Sequence, residues 1–366
     1  MNYNQIRRKT REVRIGNLTV GGNAPIAIQS MANTDTHDFV ATLAQLQRLE
    51  RAGCDIVRIT VPDLAAAEAI PYLKEAGITM PIVADIHFDY RVAIRCAELG
   101  VDKIRINPGN IGDDEKVRAV CTICRKKHIP IRIGVNSGSL EKSILARYGA
   151  PTPEALCESA KYHIALLEKF GFYDTVISIK ASDPYQMIRA NRLLAQECDY
   201  PLHLGVTEAG SRRMGSLKSA VGIGSLLCDG IGDTIRVSLT DRPEEEIDAA
   251  KDILRALSIE GQSGLNIVSC PTCGRTKIDL IPLVAEFEKR AKEEGILSLP
   301  VKVAIMGCVV NGPGEAQEAD VGIAGGKGEA VLFRKGQIIG KLAECEIVPT
   351  LIREVREIAV QKERKS

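Results

Sequence analysis

Eleven cysteines are spread along this chain, and three of them stand in surroundings that suit an inorganic centre. Cys270 and Cys273 sit in SCPTCGR, a Pro- and Gly-containing turn directly after a β-rich run, where two thiolates can converge. Cys308 follows 35 residues after Cys273 in MGCVVNGPGE, again after a β-rich run. The glycines around it permit close backbone approach to a bulky core. Glu315, in the same Gly/Pro loop, offers a fourth ligand of a different kind. Spacing alone leaves an iron–sulfur cluster and a tetrahedral zinc both open, since three cysteines plus one other ligand suit either. A thioredoxin-like dithiol is the weaker reading, because the motif does not open a helix in such a unit. Cys54, Cys96, Cys157, Cys198, Cys228 and Cys345 are isolated and read as small buried hydrophobes. Cys121 and Cys124 form a C-x-x-C inside the helical stretch EKVRAVCTICRKK with no third ligand near, and read as a decoy.

A second group is basic. Arg58, Arg105, Arg132, Lys180 and Arg236 each lie within or at the end of a Val/Ile-rich run, where cations are unusual because buried charge needs a partner. One reading pairs each with a neighbouring carboxylate. The other gathers all five around a polyanion, since Arg forks match phosphate oxygens and Lys adds a point charge. For five together the polyanion is the better account, and it says phosphate-rich ligand without saying which. The same run ends carry Asp85, His87, Asn107, Asn136 and Ser238. His87, in ADIHF, reads equally as a substrate contact and as a structural histidine. Glu208, in GVTEAG, reads as a general acid or base ahead of a mere counter-charge.

What would bring these residues together is a repeat. Eight β-rich runs, at 25–33, 54–62, 81–88, 102–110, 130–139, 174–182, 201–210 and 233–240, alternate with amphipathic helical stretches such as FVATLAQLQRLERAG. Eight β–α units of this size predict a TIM barrel over residues 1–260, with reacting groups at the C-terminal ends of its strands. An extra helical element occupies 140–173. After the polar stretch IEGQSG the repeat stops. Residues 265–366 predict a small α+β domain: a strand into the cysteine turn, a helix over 279–294, a strand at 301–307, short strands near 321–324 and 330–340, and a C-terminal helix.

Composition narrows the class. With 48 basic against 47 acidic residues the net charge is +1, so nothing suggests a nucleic-acid or membrane-surface protein. No apolar run of transmembrane length exists, and the basic N-terminal stretch lacks the apolar core of a signal peptide. A cytoplasmic protein is expected, and there cysteine-rich motifs bind metal or catalyse instead of forming disulfides.

The stretches QSMANT, DIVRITVP, VADIHFDYR, RINPGNIG, IPIRIGVNSGSLE, PLHLGVTEAG, GIGDTIRVSLT, CPTCGR and GCVVNGPGEA run through nearly the whole chain. Together they resemble the bacterial 4-hydroxy-3-methylbut-2-enyl diphosphate synthases, iron–sulfur oxidoreductases of isoprenoid precursor biosynthesis. The two-domain layout resembles the short bacterial form. The resemblance implies reductive ring opening and dehydration of 2-C-methyl-D-erythritol 2,4-cyclodiphosphate. It implies a [4Fe–4S] cluster on Cys270, Cys273, Cys308 and Glu315, with Glu315 displaceable. It also implies diphosphate contacts from Arg58, Arg105, Arg132, Asn136, Lys180 and Ser238, and acid/base work by Glu208. Flavodoxin or ferredoxin is the implied electron donor, and a homodimer with active sites shared between subunits the implied assembly. Two rivals remain: a pterin-type barrel synthase, which needs no cluster, and a zinc-stabilised binding module on a barrel scaffold.

Overall fold

The computed structural model describes residues 3–259, 264–309 and 318–364. The chain divides into two compact units, one ending at Ile253 and the other running from Leu254 to the C-terminus.

The first unit opens with a hairpin that the β–α repeat does not anticipate. β1 (Val13–Ile15) and β2 (Leu18–Val20) pair antiparallel. Val13, Ile15 and Val20 pack on Ala27, Ile56, Val83 and Val176, so the hairpin is an apolar plug against one end of the parallel strands. Those strands are eight: β3 (Ala27–Met31), β4 (Ile56–Thr60), β5 (Ile82–Asp85), β6 (Lys103–Ile106), β7 (Ile131–Asn136), β8 (Thr175–Lys180), β9 (His203–Leu204) and β10 (Thr234–Ile235). Their spatial order is β8-β7-β6-β5-β4-β3-β10-β9. A parallel bridge between Ile177 and Leu202, with the Ile177 N–H donating to Pro201 O at 2.9 Å, joins the two ends into a barrel.

The strands are short Val/Ile runs because both faces are covered. Asp38, Asp63, Asp89, Asp113, Thr152 and Asp183 each accept a backbone N–H at the start of a helix. Such caps sharpen the ends of the six loops they close. The extra element after β7 is two helices, Lys142–Tyr148 and Pro153–Lys169.

The second unit is a five-stranded sheet, β11 (Asn266–Ser269), β12 (Lys302–Met306), β13 (Val321–Gly325), β14 (Glu329–Arg334) and β15 (Gln337–Ala343), in sequential order. The first three strands are parallel, and the last two add antiparallel pairings. Helices Leu280–Glu293 and Ile347–Glu363 cover one face, burying Leu283, Phe287, Leu351 and Val355 against Val303, Ile305, Val321 and Ile323. Among the described residues no helix is long and apolar enough to cross a membrane.

Candidate active site

In the barrel, strand register brings the charged residues round one mouth. Met31 lies opposite Arg58, Thr60 opposite Asp85, Asp85 opposite Arg105, Arg105 opposite Arg132, and Asn136 opposite Lys180. Because side chains alternate between the two faces of a strand, these positions point inward together. Arg58, His87, Arg105, Arg132, Asn136, Lys180, Arg236 and Ser238 line a single cavity of about 360 Å³ with Met31, Thr60, Asp85, Ser178 and Thr207. Two glycines make room for the long cations. A Cβ on Gly134 would lie 2.5 Å from Arg105 Nε, and one on Gly205 would lie 2.9 Å from Lys180 Nζ.

The two readings of the five cations divide between them. Arg105 Nη1 donates to Asp85 Oδ1 at 2.9 Å, and Arg58 Nε stands 3.5 Å from Asp85 Oδ2. Arg236 Nη2 donates to Glu246 Oε1 at 3.2 Å, and Glu246 also accepts from Ser30 Oγ at 3.1 Å and from the Leu239 N–H at 3.1 Å. Among the described residues, neither Arg132 nor Lys180 meets a carboxylate. Arg132 is 1% exposed and donates to Gln29 Oε1 at 3.3 Å. Burial alone would raise the Asp85 carboxyl, but Arg58, Arg105 and Arg132 outweigh it and hold it down to about 2. Burial, then Arg236, Arg58 and Arg132, push the Lys180 amine well below its ordinary value. Two buried cationic side chains without a carboxylate partner, beside the hydrogen-bonding side chains of Thr60, His87, Asn136, Ser178, Thr207 and Ser238, form a receptor for a small polyanion.

Glu208 stands next to Thr207 but is exposed, on the rim and not among the cavity-lining residues. Its φ of 51° puts a non-glycine residue in the left-handed region, a conformation other structure must hold. A larger cleft, about 620 Å³, is lined by Arg14, Asp102, Lys127, His128 and Asp174. It lies at the strands' N-terminal ends, where barrel enzymes do not place their chemistry.

In the second unit the cysteines also sit at the ends of parallel strands. Cys270 follows β11 and Cys308 follows β12 by two residues, and Ser269 pairs with Ile305. The Gly307 N–H donates to Cys270 Sγ at 3.2 Å. Thr276 Oγ1 accepts from the Cys273 N–H at 3.1 Å, and the Thr276 N–H donates to Cys273 O at 3.0 Å, closing the turn. A Cβ on Gly307 would lie 2.8 Å from Thr276 Cγ2, so glycine lets the two strand ends approach. Hydrogen bonds from the Arg275 backbone and side chain lower the Cys273 thiol below its ordinary range. Glu315 lies outside the described residues. Among the described residues no three His, Cys, Asp or Glu side chains gather closely enough to hold a metal ion. Three thiols on adjoining strand ends, with N–H donors and glycine beside them, still suit a sulfur-ligated cluster in the chemistry of the donor set.

The other cysteines divide. Cys54, Cys96, Cys121, Cys124 and Cys157 are buried, whereas Cys228 and Cys345 are exposed. Those two are therefore not the buried hydrophobes expected of them. Burial pushes the Cys121 thiol up to about 12, which keeps it inert.

Sequence reasoning passed over Glu246, one of three consecutive glutamates that only helical phase distinguishes. It noted Asp85 without giving it a role. It also missed Met31, Thr60, Ser178 and Thr207, which inward alternation along the strands could have found.

Comparison with known proteins bears on both units. The family model described as the GcpE TIM-barrel domain matches residues 10–251, and that of the GcpE protein C-terminal domain matches 266–357. A protein of Clostridium perfringens named 4-hydroxy-3-methylbut-2-en-1-yl diphosphate synthase (flavodoxin) is 55% identical, over 96% of this chain and 99% of its own. One of the same name from Caldanaerobacter subterraneus is 54% identical, over 98% of this chain and 99% of its own. Among solved structures, a Stenotrophomonas maltophilia dihydropteroate synthase is 14% identical with a TM-score of 0.50, covering 68% of this chain and 98% of that one. That likeness shows the barrel fold alone.

Proposed function

This chain belongs to the GcpE family, and we propose on that premise how its two units divide one reaction. The chain is an oxidoreductase acting on a CH or CH2 group in isoprenoid precursor biosynthesis. It opens the ring of 2-C-methyl-D-erythritol 2,4-cyclodiphosphate reductively and releases water, giving 4-hydroxy-3-methylbut-2-enyl diphosphate. The observation that supports this most is the barrel cavity with Arg132 and Lys180 uncompensated. These two take the diphosphate oxygens. Arg58, Arg105 and Arg236 are pre-oriented by Asp85 and Glu246 and complete the clamp. Asn136, Ser238 and His87 fix its register by hydrogen bonding. A proton must reach the departing hydroxyl, and we assign its delivery to Glu208.

Cys270, Cys273 and Cys308 hold the cofactor, with Glu315 as the fourth ligand from a carboxylate that exchanges more readily than a thiolate. A [4Fe–4S] cluster held there supplies electrons one at a time, which neither side chains nor a zinc ion can do. Flavodoxin or ferredoxin delivers them, and the relatives' names specify flavodoxin. The assembly is a cytoplasmic homodimer with active sites shared between subunits. Incubating the anaerobically purified protein with the cyclodiphosphate and reduced flavodoxin tests the reading. Formation of the linear unsaturated diphosphate is expected; recovery of intact cyclodiphosphate from a brown, fully reduced sample would refute it.

A further inference from the structure

Beneath the cavity the barrel interior stays polar where branched aliphatic side chains are the rule. Lys103 lies two residues before Arg105 on β6, so it faces the same interior one layer deeper. It is fully buried, and among the described residues its Nζ has no hydrogen-bond partner. Gln29 Nε2 and His203 Nε2 are likewise buried and unpartnered. His203 Nδ1 is committed to Thr234 Oγ1 at 2.8 Å. With the proton on Nδ1, the Nε2 lone pair is free to accept a hydrogen bond from an ammonium.

The groups facing this layer come from every strand around it. Arg132 on β7 and Arg58 on β4 act on Lys103 directly, and both repel a second positive charge. Lys180 on β8, Arg236 after β10 and Arg105 on β6 line the cavity above, while burial first, and then Arg132 and other cations, drive His203 on β9 towards its neutral form. The carboxylates are Asp85 and Glu246, and both are engaged by arginines. An ammonium without an acceptor or counter-charge is costly here. Burial first, then Arg132 and Arg58, push the Lys103 amine well below its ordinary value. A docked diphosphate, with one negative charge on each phosphorus, offsets that field and supplies the counter-charge an ammonium needs.

We propose that Lys103 is the proton-uptake residue of the barrel site: neutral in the empty barrel, it becomes an ammonium when a diphosphate docks above it, so that binding draws a proton from solution. Lys103 is then a positioning residue, adding charge beneath the phosphates only once they are present. An empty barrel thus avoids a further buried charge, and a full one gains it. The inference rests on the reading of the cavity as a diphosphate site.

The sign comes from linkage. Lys103 has a higher pKa in the complex than in the free protein. The affinity it contributes is therefore full below the free-state pKa and is lost as pH rises through the bound-state pKa. Between the two, the dissociation constant rises up to about tenfold per pH unit. The cyclodiphosphate suits the test because each phosphorus carries one strongly acidic oxygen, ionised throughout, so the ligand brings no proton of its own.

Isothermal titration of the oxidised holoenzyme with this ligand, in buffers of different ionisation enthalpy from about pH 7 to 9, counts the protons. The wild type is expected to take up protons on binding. Lys103→Met, with Lys103→Gln as the second variant should Met fail to fold, is expected to bind while taking up fewer, by as much as about one, and to flatten the pH dependence to match. Lys180 contributes a share of its own, so the difference between the two proteins is the quantity that decides. No proton uptake by the wild type overturns the proposal without recourse to any variant, and so does equal uptake by wild type and variant. Absence of binding by the wild type would instead refute the diphosphate reading of the cavity.

Discussion

The barrel and the C-terminal unit both carry their polar residues at the C-terminal ends of parallel strands, yet they fill those ends with opposite kinds of group. The barrel mouth holds charges largely settled by the protein itself: Asp85 takes Arg58 and Arg105, and Glu246 takes Arg236. Among the described residues of the mouth, Arg132 and Lys180 meet no carboxylate and await something from outside. The second unit holds thiols that hydrogen-bond locally, through Gly307 and the Arg275 turn, but do not close on one another among the described residues. The first site is preorganised before its ligand arrives. The second is a set of donors that its cofactor must complete, as metal binding commonly supplies part of a site's own order. One fold feature, the open end of a parallel sheet, thus serves two purposes that differ in what finishes them.

The largest effect should come from the second unit. Changing Cys270, Cys273 or Cys308 to Ser is expected to abolish cluster assembly and turnover together, since thiolates hold the irons. Anaerobic iron and sulfide analysis checks this, and a variant with full iron content drops out of the ligand set. The barrel's circular dichroism should not change, because its core is independent of these residues.

Glu208→Gln comes next. It keeps the shape of the side chain and removes the proposed proton carrier, so turnover should fall roughly 10²-fold or more while the cyclodiphosphate still binds. Near-normal turnover would reduce Glu208 to a counter-charge on the rim.

Within the barrel the comparison can be sharpened to single cations. Arg132→Ala or Lys180→Ala should weaken binding by on the order of 1.5–3 kcal/mol and leave the cluster's absorbance unchanged. Arg236→Ala removes a cation but also strands the buried Glu246 carboxylate, and Arg58→Ala takes one of the two arginines from Asp85, so those variants should lose stability as well as affinity. Thermal unfolding and ligand titration on all four separate the two classes. If all four behave alike, the division between paired and waiting cations fails.

The smallest effect concerns Asp85. Its carboxyl is lowered from 3.8 to about 2, so it contributes stability that is present above its unfolded-state pKa and lost as pH falls through about 2. That contribution is on the order of 2 kcal/mol. Denaturant unfolding between about pH 5 and 2.5 should show a shallower acid loss in Asp85→Asn than in wild type; equal slopes would remove Asp85 from the account.

Much of this was legible in the sequence. The eight runs, their order and the cations at their ends came from Val/Ile content and β–α alternation. So did the strand–turn position of Cys270 and the strand before Cys308. What escaped shares a physical cause, since pairing depends on register and helical phase, not on residue type. Glu246 looks like its neighbours Glu244 and Glu245 until the helix turns it towards Arg236. Lys103 looks like an exposed strand-start lysine until the barrel closes over it. The β1–β2 hairpin, in VRIGNLTV, is too short to show alternation, and only its packing under the barrel makes it structure.

The division of labour is tested most directly by ligand binding without the cluster. The Cys270→Ser protein, verified to hold no iron, is titrated with 2-C-methyl-D-erythritol 2,4-cyclodiphosphate beside the wild type. If the barrel supplies the binding, the two dissociation constants should agree within about tenfold, roughly 1.4 kcal/mol, while turnover is absent. A cluster-free barrel that no longer binds the cyclodiphosphate, while remaining folded, would contradict the claim that the barrel forms the receptor without the cluster.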